Sequence, residues 1–91
     1  MLPVILVYVD AQSTVKHISP THGKPGHVVT VVGDNFNGCA PTVTFGGSPV
    51  TVTQRSDQVA KFIVPDVSPD TYTVQVFCGV ALIFFTMFTV T

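Results

Sequence analysis

Short runs in which apolar and polar side chains alternate with a period of two dominate this sequence and constrain its fold more than any other feature. Clear examples are HVVTVVG (27–33), VAKFIVP (59–65) and TYTVQVFC (71–78). Val and Thr, which favour strands, are abundant, and the turn residues Gly, Pro, Asn and Asp recur at short intervals. No stretch has the periodicity of a helix. The pattern predicts an all-β protein, built as a sandwich or a barrel.

The phase of the alternation indicates which side chains face the core. In the run 59–65 the charge of Lys61 marks the outward phase, so Ala60, Phe62 and Val64 point inward. The predicted strands cover residues 14–19, 27–33, 42–47, 49–54, 59–65, 71–78 and 83–91. The other inward side chains are those of Val29, Val31, Val43, Phe45, Val50, Val52, Tyr72, Val74, Val76, Phe88 and Val90. About seven strands are usual for an immunoglobulin-like sandwich. We therefore predict a two-sheet antiparallel sandwich of this class, with an extra N-terminal strand.

The low charge content limits the partners that this chain can bind. The 91 residues are 10% charged and 46% apolar, and the formal net charge is −1. Nucleic-acid binding needs a dense basic face, so no nucleic-acid partner is expected. No apolar run approaches the roughly 20 residues of a membrane-spanning helix, so no membrane insertion is expected. A surface with so few charges is expected to be partly covered by something else.

Several short motifs occur in an order that resembles the IPT/TIG family. They are ISPTHGKPG, VTVVGDNF, VTFGG, FIVP and YTVQV, and together they span about residues 13 to 91. IPT/TIG domains are immunoglobulin-like domains of plexins, Rel-type transcription factors, and many bacterial surface proteins and carbohydrate-active enzymes. The resemblance implies that fold for residues 13–91. Two positions depart from the family: His27 replaces a small residue, and GVALIFF (79–85) replaces a polar turn.

The residues that carry the resemblance have structural explanations. Gly33 stands where a strand ends in a tight turn, and Asn35 can satisfy the following loop through side-chain hydrogen bonds. Phe36 is expected to plug one end of the core. Pro65 ends a strand because it cannot donate to a ladder. These motifs therefore indicate the fold rather than the function.

The cysteines, Cys39 and Cys78, are expected to meet in such a sandwich. The strands predicted at 42–47 and 71–78 would be the third and sixth of an immunoglobulin-like domain, which are antiparallel neighbours. Each cysteine also shares the inward phase of its strand. A Cys39–Cys78 disulfide would close a loop of about 40 residues and imply an oxidising compartment. The alternative is a pair of buried free thiols.

The polar residues form no recognisable catalytic or metal-binding pattern. His17, His22 and His27 recur every five residues across a strand, a turn and a strand, which favours solvated side chains over zinc ligands. The aspartates lie in separate loops without the spacing of a calcium loop. No GxSxG turn and no nucleophile beside a histidine occurs. We expect no enzyme activity, no cofactor and no metal.

Large apolar side chains occupy the outward phase of the last two predicted strands. Phe77 points outward from the sixth strand, and Phe85 and Met87 point outward from the last. The outer face of an antiparallel sheet is normally polar, and an apolar cluster there usually marks a contact surface. The alternative is a β-bulge that turns one of these side chains inward. The loop VALIF (80–84), which contains Leu82, adds an apolar tip at the same end.

Residues 1–12 are predicted to be a separate N-terminal extension. Its LPVILVYV run (2–9) has bulky apolar side chains in both phases, which is typical of a strand covered on both faces. We expect this segment to dock on its own sandwich or on the edge of a neighbouring copy. The predicted interaction surface comprises Leu2, Val4, Ile5, Leu6, Val7, Tyr8, Phe77, Leu82, Phe85 and Met87.

These features favour a non-catalytic interaction and assembly module whose partners are proteins. It would be a structural subunit of an extracellular filament, a cell surface, or a virus or phage particle, and it would contact copies of itself or neighbouring subunits. The alternative is a carbohydrate-binding or spacer module of a larger secreted enzyme or adhesin, although the absence of Trp counts against sugar binding. The expected location is extracellular, at a cell surface or in a virion.

Overall fold

The computed structural model describes residues 13–91; residues 1–12 lie outside the described part. The strands are β1 (Thr14–Ser19), β2 (His22–Gly23), β3 (Val28–Asp34), β4 (Pro41–Phe45), β5 (Ser48–Val50), β6 (Val52–Arg55), β7 (Val59–Ile63), β8 (Asp70–Cys78) and β9 (Ala81–Val90), with a 3₁₀ turn at Phe36–Gly38. One sheet has four strands, in the order β1-β3-β7-β6, and the other has five, in the order β2-β9-β8-β4-β5. The predicted all-β, two-sheet sandwich is confirmed.

The inward faces of the two sheets pack against each other to form the core. Its fully buried side chains include Phe36, Phe62, Phe88, Val29, Val31, Val43, Val64, Val74, Val76 and Val90. Phe45 contacts two other core rings, with its ring 6.4 Å from that of Phe62 and 5.6 Å from that of Phe88, both in edge-on arrangements. Phe36 projects from the 3₁₀ turn into the end of this core. Ala60, Phe62 and Val64 are buried, as the phase of Lys61 predicted.

The strand predicted at 49–54 is wrong, because this segment divides between the two sheets. β5 pairs with β4 in the five-stranded sheet, whereas β6 pairs with β7 in the four-stranded sheet. Gly46 and Gly47, with φ of 60° and 88°, form a two-residue hairpin turn that only residues tolerating positive φ allow. Alternation continues across the change of sheet, so the pattern of side chains does not reveal it.

A register shift in β1 brings two apolar side chains onto the core. Val15 lies opposite Gly33 and Ile18 lies opposite Val31, with the shift between Val15 and His17. The extra residue lets side chains three positions apart face the same way. Gly33 is required here, since a Cβ would meet the backbone oxygen of Thr14 and lie 2.6 Å from the ring of Phe36.

The segment THGKPG, predicted as a turn, contains a short strand as well. β2 pairs in parallel with the end of β9, with His22 opposite Thr89 and Gly23 opposite Val90. The turn follows at 24–27, where the N–H of His27 donates to the carbonyl of Lys24 at 3.1 Å. Two-residue strands leave no alternation to detect, so the sequence could not reveal β2. Among the described residues, no helix is long and apolar enough to cross a membrane.

Candidate interaction face on the five-stranded sheet

The outer face of the five-stranded sheet carries a group of apolar side chains on β8 and β9. Across these strands, Phe77 lies opposite Leu82, Gln75 opposite Phe85, and Thr73 opposite Met87. We call Phe77, Leu82, Phe85 and Met87 the outer apolar face. Phe85 is 64% exposed, Met87 51% and Leu82 45%, and Phe77 is half-buried. The structure therefore places these side chains together, on the solvent side of the sheet.

A register shift explains how Leu82 joins this face. The shift lies between the pairs Val76↔Phe84 and Phe77↔Leu82, which leaves Ile83 without an opposite residue. The sequence pattern also allows a β-bulge that would turn one of the predicted outward side chains inward. A bulge is present, but it precedes Phe85, so it brings Leu82 outward instead of burying Phe85 or Met87.

The apolar loop predicted at 80–84 is wrong, since most of it belongs to β9. Cys78 pairs with Ala81, and only Gly79 and Val80 form the turn between β8 and β9. Gly79 has φ 63°, a conformation that glycine adopts without steric cost. Val80 is fully exposed at the tip. The turn is shorter than predicted because one glycine is sufficient to reverse the chain.

Polar side chains border the outer apolar face toward β4. The hydroxyl of Thr44 donates to the Gln75 side-chain oxygen at 3.2 Å, and the hydroxyl of Thr73 donates to Sδ of Met87 at 3.5 Å. Thr42 lies beside Phe77 on the neighbouring strand. The outer surface of the sheet is therefore apolar along β9 and polar along β4. Its β9 half is suited to burial and its β4 half to contact with water.

A disulfide joins Cys39 to Cys78, and the described residues contain no free cysteine. The two Cα atoms are 5.8 Å apart, within the usual range for a disulfide. Cys78 lies opposite Pro41 on β4 and opposite Ala81 on β9. The bond therefore fixes the loop before β4 to the end of β8, at the end of the sandwich where Val80 and Leu82 lie.

The loop that carries Cys39 is also held by the turn between β6 and β7. The Arg55 guanidinium donates from Nη1 to the carbonyl oxygen of Phe36 at 2.9 Å. The backbone N–H of Asn37 donates to Oδ1 of Asp57 at 3.1 Å. Asn35, in the left-handed conformation with φ 63°, accepts at its carbonyl from the Ser13 hydroxyl at 2.8 Å. This end of the sandwich is thus tied together by several contacts.

A smaller apolar pair on the opposite sheet was not among the predicted surface residues. Val28 on β3 lies opposite Ile63 on β7, and both side chains are exposed. The sequence could have revealed the exposure of Ile63, since Ile63 shares the outward phase of Lys61. This pair is flanked by Lys61 and Thr30, which pair next to it, so it forms a much smaller patch than the outer apolar face.

The histidine, cysteine and acidic side chains between positions 13 and 91 do not form a metal-binding cluster. No group of three or more His, Cys, Asp or Glu side chains in this range could hold a metal. A surface depression of about 540 Å³ is lined by Gln54, Arg55, Ser56, Val59 and Lys61. This lining includes a hydroxyl and two basic groups, and none of the five lining residues is a histidine or a carboxylate.

The predicted surface residues of the N-terminal run lie outside the described residues. They are Leu2, Val4, Ile5, Leu6, Val7 and Tyr8. The structure thus brings together the predicted residues of β8 and β9, while the role of residues 1–12 stays a prediction.

The family model for the IPT/TIG domain matches residues 13–91, the same range over which the strands, the glycine turns and Phe36 form the sandwich. The chain belongs to the IPT/TIG family. The resemblance seen in the sequence is therefore confirmed.

Relatives at the sequence level are enzymes much longer than this chain. The IPT/TIG chain is 37% identical over 70 residues to the cyclomaltodextrin glucanotransferase of Niallia circulans, a match covering 74% of this chain and 10% of that enzyme. It is 34% identical over 74 residues to the enzyme of the same name from Geobacillus stearothermophilus, covering 79% of this chain and 10% of the enzyme. The chain spans about a tenth of the length of these relatives.

Solved structures show the same fold. The extracellular region of Plexin A4 superposes with a TM-score of 0.72 at 23% identity, covering 88% of this chain and 8% of that chain. An auxiliary nutrient binding protein from Bacteroides ovatus superposes with a TM-score of 0.53 at 26% identity, covering 84% of this chain and 19% of that chain. In both, the similar part is a fraction of a larger protein.

Proposed function

We propose that this chain serves as a non-catalytic spacer and docking module of a larger extracellular protein, such as a secreted enzyme that acts on glycans. The observation that carries this proposal is the 37% identity to a segment that makes up 10% of a cyclomaltodextrin glucanotransferase. A module of that size cannot account for the activity of the whole enzyme. It is better suited to holding neighbouring parts of the protein in place.

The docking surface in this proposal is the outer apolar face. Phe85, Met87 and Leu82 expose much of their area, and exposed apolar groups gathered on one side of a sheet are costly to leave in water. Contact with an adjoining protein surface would bury them. The absence of a dense charged patch, with 10% charged residues in the sequence, favours an apolar protein surface over nucleic acid as the partner.

An extracellular location is supported by the chemistry of the cysteines. A disulfide such as Cys39–Cys78 persists in oxidising compartments. The Plexin A4 structure that has the same fold is the structure of its extracellular region. The more specific locations predicted from the sequence, a cell surface or a virion, have no comparable support.

The spacer has more support than the assembly subunit that the sequence favoured. The matched relatives are enzymes rather than filament or particle proteins. Sugar binding by the domain itself also has little basis, since the chain lacks Trp and the outer apolar face offers a single strongly exposed aromatic ring, that of Phe85, within the described residues.

Light scattering after size exclusion, combined with a glycan array, tests the proposal on the full chain. A spacer module is expected to elute as a monomer up to high micromolar concentration and to bind no glycan. A stable oligomer at micromolar concentration would contradict it in favour of the assembly subunit. A glycan that binds in a saturable manner would contradict it in favour of a carbohydrate-binding module.

A further inference from the structure

The edge of the five-stranded sheet beside β9 is open along most of its length within residues 13–91. β2 pairs with β9 at two positions, Thr89 and Val90, whereas β9 is ten residues long. Residues 81–88 therefore have β8 on one side and no strand of the described part on the other. A long apolar edge with unpaired backbone groups is a site for strand addition.

Hydrogen bonds at the end of β9 that pairs with β2 show which backbone groups point toward this edge. The N–H groups of Thr89 and Thr91 donate to carbonyls of the β2 segment, at 3.0 and 2.9 Å. Consecutive residues of a strand direct their N–H and C=O groups to opposite edges. Met87 and Phe85 therefore present their backbone groups to the open edge. The same residues expose their side chains on the outer apolar face.

We propose that residues 2–9 of the same chain fill this edge as an additional strand, antiparallel to β9. The run LPVILVYV contains eight residues and the open edge extends over residues 81–88, so their lengths match. An edge strand beside β9 would direct alternate side chains toward the core and toward the outer surface, where they would extend the outer apolar face. Bulky side chains in both phases therefore fit this position. Pro3 lies near the start of the run, a position that an edge strand tolerates.

The point at which the chain enters the sandwich makes this connection short. Ser13 is 5% exposed and its hydroxyl donates to the carbonyl of Asn35, which fixes the chain at the end of the sandwich where β9 begins. β1, which follows directly, lies against β9. Residues 10–12, Asp-Ala-Gln, can span about 10 Å when extended, which is the usual separation of packed sheets. Residues 2–9 would then run back along β9.

Tethering favours the strand of the same chain over that of a second copy. A segment joined by a short connection has an effective concentration in the millimolar range, well above the concentration of a second molecule in dilute solution. The proposal concerns the completion of the sheet and does not depend on the proposed spacer function.

Amide hydrogen exchange measured by NMR on the full chain tests this strand. The amides of Phe85 and Met87 are expected to exchange at least roughly tenfold more slowly than unprotected amides. Those of Phe84 and Thr86 face β8 and serve as internal references for an intact sandwich. Unprotected exchange at Phe85 and Met87 alongside protected references would overturn the proposal.

Two adjacent proline variants distinguish a hydrogen-bonded strand from loose apolar contact. Only one of Ile5 and Leu6 can direct its N–H toward β9, so Ile5→Pro and Leu6→Pro are expected to differ in how far they remove the protection of Phe85 and Met87. Equal effects of the two variants would overturn the proposed ladder. Protection that is lost on dilution, together with dimers in light scattering, would assign the strand to a second copy and overturn the proposal for the same chain.

Discussion

Phe77 on β8 lies opposite Leu82 on β9, immediately beyond the register shift that leaves Ile83 unpaired. Strict alternation counted back from Phe85 would place Leu82 on the core side. Because of the shift, Leu82 stands on the same side as Phe85 and Met87, and the outer apolar face gains a side chain next to Phe77. One inserted residue therefore extends this face toward the end of the sandwich that the Cys39–Cys78 bond fixes.

Replacing an outer side chain is expected to change the surface without changing stability. Phe85→Ser removes a ring that is 64% exposed, so the free energy of unfolding should change by less than about 0.5 kcal/mol. Retention on a hydrophobic-interaction column should fall, because less apolar area is presented to the resin. Urea denaturation and chromatography measure the two effects.

Phe88→Ser is the matched control for that variant. Phe88 is fully buried and lies three residues further along the same strand, so this change should cost at least about 3 kcal/mol through the lost ring and the buried hydroxyl. A comparable loss of stability in Phe85→Ser would show that Phe85 is packed within the fold, and the outer apolar face would then lose its main member.

The arrangement of the core could be predicted from the sequence because it depends on a pattern of period two. Val29, Val31, Val43 and Phe45 are buried, as their phase indicated. The division of 49–54 between two sheets escaped prediction, since a strand that changes sheets keeps its alternation and differs only in its partner. The strand with which a segment pairs depends on the positions of the other strands, so it cannot be predicted from the sequence of that segment alone.

The candidate face could be predicted in part for the same reason. Phe77, Phe85 and Met87 follow from the outward phase of two strands, so their placement together required only the neighbouring positions of those strands in an immunoglobulin-like sandwich. The sequence alone places Leu82 in a loop, because the length of the turn depends on Gly79 adopting a positive φ. Composition near the turn allows both a long and a short loop, and backbone geometry decides between them.

Loss of the disulfide is expected to destabilise the domain strongly. The Cys39→Ser, Cys78→Ser double variant releases a constraint between residues separated by 39 positions, which the chain-entropy model values at about 4 kcal/mol. Chemical denaturation of both proteins, with and without reductant, measures the difference. Reductant should lower the midpoint of the natural chain to that of the variant and leave the variant unchanged. Two thiols that react with an alkylating reagent in the folded natural chain would contradict the bond itself.

The hydroxyl of Tyr72 is expected to stabilise the turn before β8. It donates to the carbonyl of Ser68 at 2.7 Å, an arrangement like the tyrosine corner of immunoglobulin-like domains. Tyr72→Phe removes this bond but keeps the ring, which lies 5.2 Å from that of Phe45, so the loss should be about 1 kcal/mol. Thermal unfolding provides the measurement. As a control, Thr71→Ala changes a neighbouring exposed hydroxyl and should cost less; an equal cost would argue against a special role for the Tyr72 bond.

Gly33 and Gly47 are expected to respond differently to alanine, because different physical constraints act on them. At Gly33 the added methyl group would meet the backbone oxygen of Thr14 and the ring of Phe36, and backbone cannot move aside as a flexible side chain can. Gly33→Ala should therefore cost about 3 kcal/mol, the upper range for overpacking. At Gly47 the methyl group would meet nothing within 4 Å, but φ is +88°, so Gly47→Ala should cost about 1 kcal/mol through backbone strain alone. Urea denaturation of the two variants compares the costs directly. A smaller loss of stability for Gly33→Ala than for Gly47→Ala would contradict this prediction. It would show that β1 and the 3₁₀ turn can move apart to make room for the methyl group, although hydrogen bonds from Ser13 and Arg55 hold this region.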